Sequence, residues 1–323
     1  MHISPRNSIC IKGFAITCIV LHHFYTTGCL QGREIISHIL GNLGSCNVVL
    51  FLFLAGYGAY ISYVTSAETG RKSYFLKRFI KIYIPYLVVS AIWAVYSLRN
   101  ICTAEMTLPI LMSFFGIVVT NNGLIDFTMW YMTFMFFWYV IFGFIMYFKI
   151  NNKIKITILF AIACFLHIYW SEDMPDFSML MRMSAFGFPC GVLFAYISLN
   201  WNKFMKAVQN RIFQVVVGIS CFSLFIYIYM LWDFSADIYV ISSLLYSVGI
   251  ILIFNIIESV YKCRVLYFLG GVSYMVYLIH MKVIYLAGEY LTGRWTLMTV
   301  GAVFAIIVLA GWGMNCLTKK IIQ

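Results

Sequence analysis

The sequence predicts an all-α polytopic membrane protein with about ten transmembrane helices and both termini in the cytoplasm. Hydrophobic residues make up 63% of the 323 residues, charged residues make up only 10%, and the mean hydropathy is +0.91. A soluble domain carries about 25% charged residues, so this chain lacks the polar surface that water requires. Apolar runs of about 20 residues, long enough to cross a hydrocarbon core, recur along the chain.

The apolar runs predict ten spans, connected by short segments that leave room for one integral-membrane domain over residues 1–323. These spans are 10–30, 46–64, 82–100, 128–149, 154–171, 179–199, 212–232, 238–257, 267–288 and 296–317. The longest connections are 65–81 and 101–127. We expect a short basic helix in the first of them, which Pro85 ends or kinks as the third span begins.

The basic residues are unevenly divided between the two sides of this topology. Of the 22 basic residues, all but five fall on the side of the N-terminus. The five on the opposite side are Arg33, Arg99, Arg182, Lys282 and Arg294. Because basic loops are retained in the cytoplasm, this bias predicts the orientation of a multi-pass protein in the plasma (inner) membrane. The net charge of +11 is therefore assigned to topology and membrane lipids, and nucleic acid is not expected as a partner.

The ten cysteines are scattered from Cys10 to Cys316 without a CxxC pair, and most fall inside the predicted spans. Cysteine in an apolar helix acts as a small hydrophobic residue. The pattern therefore predicts neither disulfides nor a metal site. The first apolar run lacks a small-residue cleavage site and carries histidines, so we expect it to be the first span rather than a signal peptide.

The first span contains "KGFAITCIVLHH" (12–23), a stretch that begins with Lys12 and ends with His22 and His23. Eleven helical steps return to within about 20° of the starting direction, so Lys12 and His23 share a helix face, about 16 Å apart along the axis. His22 points away by roughly a quarter turn. An intramembrane histidine can be a neutral residue that hydrogen-bonds across helices, or a general base that lines a substrate cavity. The spacing alone leaves both interpretations open.

Three basic residues cluster in the segment before the third span. Lys77 and Lys81 are i,i+4 and Arg78 and Lys81 are i,i+3, so they lie on neighbouring faces of one helix. Such a cluster can be the topology signal that meets anionic lipid. It can also anchor a polyanion, such as the phosphates of a CoA thioester, because lysine and arginine bind phosphate well.

The ninth span contains "LGGVSYMVYLIH" (269–280), in which Ser273, Tyr277 and His280 are stacked on one face by their i, i+4, i+7 spacing. His280 is expected at a depth similar to that of His23. The two imidazoles could therefore share one cavity, although a packed serine and tyrosine helix interface gives the same pattern.

Two further residues are candidates for the cavity. Arg182, toward the outer end of the sixth span, can reach the membrane surface with its long side chain or meet an anionic substrate. Trp130 opens the fourth span, where an aromatic belt residue is the ordinary interpretation.

Five segments in order resemble the acyltransferase-3 family of integral-membrane acyltransferases. "KGFAITCIVLHHF" resembles its opening signature, and "FLFLAGYGAYI" (51–61) is similar to an element of its second span. "FLKRFIKIYIPY" (75–86) resembles its basic inner segment. "WYMTFMFFWYVIF" (130–142) is similar to its Trp-led fourth span, and "LGGVSYMVYLIH" to its C-terminal Ser-Tyr, Tyr and His pattern.

The resemblance implies a fold of about ten helices and transfer of an acyl group, usually acetyl, from cytoplasmic acyl-CoA to a hydroxyl of a lipid-linked or cell-surface glycan. Acetyl-CoA would be a co-substrate, with no tightly bound cofactor. His23 takes the place of the essential histidine and Lys12 that of the basic residue eleven positions earlier. Arg78 and Lys81 match the basic pair of the inner segment.

The chain departs from the family pattern at three positions. Lys12 and Lys81 stand where arginine is common, and lysine lacks the planar fork of a guanidinium. Met135 stands about five residues after the fourth-span tryptophan, where members fused to a hydrolase-like domain often carry an acidic residue.

The predicted mechanism places the CoA phosphates at Lys12, Arg78 and Lys81, and the thioester near His23. His23 would act as the general base for the acceptor hydroxyl, since burial without an acidic partner keeps an imidazole neutral and basic. A covalent acyl-histidine is the alternative route. The alternative functions are a transporter or flippase for a lipid-linked or small solute, which would use the same charges along its pathway, and a sensor or scaffold without catalysis.

Overall fold

The computed structural model describes most of the chain, and within the described residues the chain is helical. The described residues are 3–30, 34–66, 71–101, 112, 115–117, 126–169, 176–201, 208, 210–231, 235–257, 262–291 and 294–322. They form eleven α-helices: α1 (Pro5–Thr26), α2 (Glu34–Thr65), α3 (Arg71–Ile101), α4 (Trp130–Tyr147), α5 (Asn152–Tyr169), α6 (Asp176–Ser184), α7 (Gly187–Asn200), α8 (Arg211–Leu231), α9 (Ala236–Ile256), α10 (Arg264–Leu291) and α11 (Leu297–Ile322). A 3₁₀ turn, Phe127–Met129, leads into α4.

Ten segments of the described chain are long and apolar enough to cross a membrane, and each overlaps one of the ten predicted spans. The predicted all-α architecture with ten spans is therefore confirmed, and the protein is a multi-pass membrane protein. Three features of the predicted spans differ from the structure, each for a local reason.

The first helix begins and ends about four residues earlier than the predicted span. Ser4 caps its N-terminus by accepting a hydrogen bond from the Asn7 backbone N–H at 3.1 Å, and Pro5 occupies the first turn. Polar residues there have partners on other helices, since the Asn7 amide donates to Asn255 Oδ1 at 2.8 Å. Beyond Thr26 the chain turns at Gly28, whose φ of 77° suits glycine.

The predicted separate basic helix before the third span is wrong. One helix, α3, runs from Arg71 to Ile101 and includes Pro85 in its interior. Proline removes the backbone donor that would bond the Lys81 carbonyl, and the hydroxyl of Tyr274 on α10 donates to the next carbonyl, that of Ile82, at 2.5 Å. This bond ties α3 to α10 close to the proline, and Arg78 belongs to the span itself.

The sixth span consists of two helices rather than one. Helix α6 ends at Ser184 and α7 begins at Gly187, with Ala185 and Phe186 between them. Pro189 lies in the first turn of α7, where its missing N–H leaves no helical hydrogen bond unmade. The break was not expected from hydropathy, because apolar composition continues across it.

The core of the bundle is formed by α1, α2 and α10. Helix α1 packs along α10 on one side and α2 on the other, while α2 also packs along α7 and α9. In the four spans contributed by α3, α5, α8 and α11, less than a third of the residues are buried, as expected of helices that face lipid. Residues 12 and 23 therefore belong to a helix that packs against two others of the core.

Glycine allows α1 and α10 to approach closely. A Cβ atom on Gly13 would lie 2.0 Å from the Leu266 carbonyl oxygen, and one on Gly270 would lie 1.8 Å from that of Ile9. Small residues at membrane helix interfaces let backbones pack directly against each other. This contact fixes the register in which the histidine of α1 meets the histidine of α10.

Candidate active site

A cavity of about 170 Å³ lies between α1, α2, α3, α4 and α10. It is lined by Lys12, Phe51, Ala55, Arg78, Ile82, Tyr131, Met135, Tyr139, Ser273, Tyr274 and Tyr277. Each of the five sequence segments singled out above contributes at least one of these residues. The fold therefore brings motifs from across the chain together around a single space.

Two cations line this cavity. Lys12 from α1 and Arg78 from α3 are close enough for their charges to interact. The Arg78 guanidinium donates to the Tyr139 hydroxyl at 2.9 Å and lies over the same ring, with Cζ 5.1 Å from the centroid. None of the described lining residues is acidic. Two like charges held together in this way favour an anionic ligand.

The hydroxyl groups on the α10 side of the cavity all donate to backbone carbonyls. Ser273 Oγ donates to Gly270 at 2.9 Å, the Tyr274 hydroxyl to Ile82 at 2.5 Å and the Tyr277 hydroxyl to Thr128 at 2.5 Å. Their oxygen lone pairs remain available as acceptors. These bonds also hold the three side chains in place, so this wall of the cavity is preorganised.

His23 and His280 form a buried pair next to the cavity. Their ring centroids are 5.0 Å apart, and the ring of His280 is 5.4 Å from that of Tyr277. Tyr277 lines the cavity and neither histidine does, so the pair lies directly behind Tyr277. The expectation that the two imidazoles meet at a common depth agrees with this contact.

The hydrogen bonding of His280 determines which of its nitrogens carries the proton. Its Nδ1 lies 2.6 Å from the Tyr277 carbonyl oxygen, which can only accept, so Nδ1 is the donor. In the neutral ring, Nε2 then carries the lone pair. Nε2 is buried and has no hydrogen-bond partner among the described residues. His280 therefore presents a proton acceptor inside the bundle.

His22 has its ring 4.8 Å from that of His23, but its hydrogen bond goes to a different helix. Its Nδ1 lies 2.8 Å from the Leu40 carbonyl oxygen on α2, and its ring packs against Gly44. The predicted quarter turn between the two histidines is consistent with this arrangement. His22 joins α1 to α2, and His23 faces α10.

The remaining predicted site residues lie elsewhere. The side chain of Lys77 is outside the described residues, and Lys81 is exposed and does not line the cavity. Arg182 is 4.0 Å from Asp237, and its carbonyl oxygen lies 3.2 Å from Nδ1 of His167. The structure therefore places Arg182 in a cluster of α5, α6 and α9, away from the cavity.

Trp130 is buried inside the bundle rather than at the lipid interface. Only 4% of it is exposed, and its ring packs against Tyr131 and Phe134. The aromatic belt interpretation is therefore wrong for this residue. Trp130 supports Tyr131, which does line the cavity.

Sequence reasoning missed a buried ion pair beside the histidines. Asp126, just before the 3₁₀ turn, lies 2.8 Å from Lys282 Nζ, and its charge also interacts with His280. Burial opposes ionisation of Asp126. The charges of Lys282 and His280 and hydrogen bonds from Lys282 and Thr128 nevertheless hold the pKa of Asp126 below its ordinary value. The presence of a charged lysine in the ninth span was the available signal, since such a residue requires a partner.

Comparison with known proteins identifies the family. The model of an acyltransferase domain, acyltransferase-3, matches residues 7–314, nearly the whole chain. The chain belongs to the acyltransferase-3 family. Comparisons with curated proteins and with solved structures found no match. All the cavity residues of this acyltransferase, and both histidines, fall within the matched region.

Proposed function

We propose that this acyltransferase transfers an acetyl group from cytoplasmic acetyl-CoA to a hydroxyl of a lipid-linked or cell-surface glycan, with His23 as the general base. The observation that carries the proposal is one cavity that has two cations on its lining and a buried histidine pair behind its Tyr277 wall. The cations suit a phosphorylated donor and the imidazoles suit a hydroxyl acceptor. Membership in an acyltransferase family supplies the reaction class.

The donor is proposed to enter from the end of the bundle that carries Lys12 and Arg78. A cavity of about 170 Å³ is similar to an engineered cavity of about 150 Å³ that holds one benzene molecule, so it cannot enclose a whole CoA. We therefore place only the acyl thioester and the end of its pantetheine arm inside. The phosphates remain at Lys12 and Arg78, and the exposed Lys81 provides further positive charge on the same helix.

The acceptor hydroxyl is proposed to approach the histidine pair on the far side of Tyr277. A rotation of the Tyr277 ring would open the cavity to His23. His23 then takes the proton from the hydroxyl, whose oxygen attacks the thioester carbonyl. The carbon–sulfur bond breaks, and the proton passes to the departing CoA thiolate, which leaves as free CoA. The products are the acetyl ester and CoA, with all atoms accounted for.

His280 is proposed to assist His23. Its Nδ1–H is held by the Tyr277 carbonyl, so its Nε2 lone pair is available to an N–H of the neighbouring imidazole. Such a hydrogen bond would orient His23, as a second group orients the base in enzymes that activate a hydroxyl. The two imidazoles interact, so their protons are expected to titrate as a pair.

Radiolabelled acetyl-CoA, given to purified protein in detergent with a membrane glycolipid extract, tests the proposed function. The expected result is a labelled, alkali-labile ester on the glycolipid. Solute movement in proteoliposomes without any acetylated product would instead support the transporter alternative. Mass spectrometry of surface glycans from cells with and without the protein would identify the acceptor by the missing acetyl increment.

Arg78→Ala is expected to raise the apparent KM for acetyl-CoA about tenfold or more with little change in kcat. The substitution removes a charge-assisted contact to phosphate that the donor makes in both the ground state and the transition state. Steady-state kinetics of label transfer measure both constants. Lys81→Ala removes a cation from the same helix but from its exposed face, and we expect a smaller rise. An unchanged KM for Arg78→Ala would refute its role as phosphate anchor.

A further inference from the structure

The buried ion pair of Asp126 and Lys282 makes further hydrogen bonds to the backbone and to Thr128. Their side chains are 1% and 8% exposed, and Lys282 Nζ also donates to the Leu278 carbonyl oxygen at 2.9 Å. Asp126 Oδ1 accepts from the Thr128 backbone N–H at 2.9 Å and from its hydroxyl at 2.5 Å. A buried ion pair often contributes little net stability, because both charges lose their hydration. Stability alone therefore does not explain why the pair is present in an apolar bundle, and we looked for a role in function.

The pair is connected to the active site through Thr128. The hydroxyl of Tyr277 donates to the Thr128 carbonyl oxygen, whose position is set by the turn that Asp126 caps. The Tyr277 carbonyl oxygen in turn accepts the Nδ1–H of His280. One continuous set of hydrogen bonds thus runs from Lys282 and Asp126 to the cavity wall and the histidine pair.

We propose that Asp126 and Lys282 are positioning residues for acyl transfer, which set the resting position from which the Tyr277 ring turns to open the cavity to the histidines and provide a counter-charge for the protonated pair. This inference rests on the proposed function. The titratable groups that face the histidine pair among the described residues are His22 from α1, Tyr277 and Lys282 from α10, and Asp126 from the segment before α4. Asp126 is the acidic group among them, so it can stabilise an imidazolium as the acceptor loses its proton.

Asp126→Asn tests this role, because asparagine keeps the size and an acceptor oxygen for Thr128 but loses the charge. We expect kcat to fall about 10²-fold, the loss that a small misplacement of reacting groups produces, with the KM for acetyl-CoA unchanged. The acid limb of the kcat/KM profile is expected to move to lower pH, because the imidazolium loses its counter-charge. A purely structural role would not shift that limb.

The matched control is Asp237→Asn, the same chemical change in an aspartate that contacts His167 at 2.6 Å but no cavity residue. It is expected to leave kcat and the pH profile unchanged. If Asp126→Asn does not accumulate because Lys282 is left uncompensated, Asp126→Asn/Lys282→Met removes both charges. The fall in kcat then decides, because the two removed charges act on the imidazolium in opposite directions.

If the Asp126 variant keeps the wild-type kcat and pH profile while His23→Ala is inactive, the positioning role is overturned and the proposed function stands. An equal loss in Asp237→Asn would overturn it as well. Absence of product from the wild-type protein would overturn the proposed function, and this inference with it.

Discussion

His23→Ala is expected to lower acyl transfer by about 10²–10⁴-fold, the contribution of a positioned general base, while the protein still accumulates in membranes. His23 is buried in contact with His280, and alanine removes the group that would take the proton from the acceptor. Label transfer from acetyl-CoA, normalised to the amount of folded protein, measures the effect. If the two histidines act as a unit, His23→Ala/His280→Ala will be hardly worse than the single variant.

The neighbouring histidine provides the control. His22→Ala removes an imidazole of the same helix turn, but one that contacts Leu40 and Gly44 rather than His280. We expect lower stability from the lost contact to α2 and nearly wild-type transfer per folded molecule. Near-normal transfer by His23→Ala would refute its assignment as base.

Gly270→Ala is expected to destabilise the protein more than the addition of a methyl group at any other glycine of α10. Its Cβ would lie 1.8 Å from the Ile9 carbonyl oxygen, so α1 must move away from α10 along their whole contact. Overpacking of this kind costs about 1–3 kcal/mol or more. The same movement separates His23 from His280. We therefore expect a lower unfolding temperature in detergent. We also expect less acyl transfer per folded molecule.

The adjacent glycine of the same helix makes a matched control. A Cβ on Gly271 meets nothing within 4 Å, so Gly271→Ala should be neutral or slightly stabilising, since alanine favours a helix over glycine. Gly13→Ala, whose Cβ would approach the Leu266 carbonyl oxygen from the other side of the contact, should reproduce the Gly270→Ala result. Equal stability of the two α10 variants would show that the helices do not meet as closely as described.

Much of the candidate site could be predicted from local spacing. Helical periodicity placed Lys12 and His23 on one face of α1, and the i, i+4, i+7 rule grouped Ser273, Tyr277 and His280 on α10. In the structure Lys12, Ser273 and Tyr277 line the cavity and the two histidines lie beside it, on regular helices that preserve the angular spacing. Tyr139 and Tyr274 were not singled out, since tyrosine is frequent in this chain and nothing local distinguishes a lining tyrosine from a packing one.

Contacts between distant segments could not be predicted in this way. The Asp126 and Lys282 pair joins residues 156 positions apart, and Asp126 lies in the predicted connection 101–127 rather than in a span. Arg182 was a candidate for the cavity because of its charge, but Asp237 and His167 pair with it elsewhere. The choice of partner depends on which helices are neighbours, and hydropathy carries no information about that.

The sequence by itself determined that the chain lies in a membrane, how many times it crosses, and on which helix faces the reactive side chains lie. These features depend on membrane thickness and helical pitch, which constrain each local segment separately. Only the tertiary structure decided that α1 and α10 meet through Gly13 and Gly270, that Arg78 lines the cavity with Lys12, and that a buried aspartate stands near His280. Those features depend on backbone contacts and charge pairing between distant segments, which form only when the whole bundle is packed.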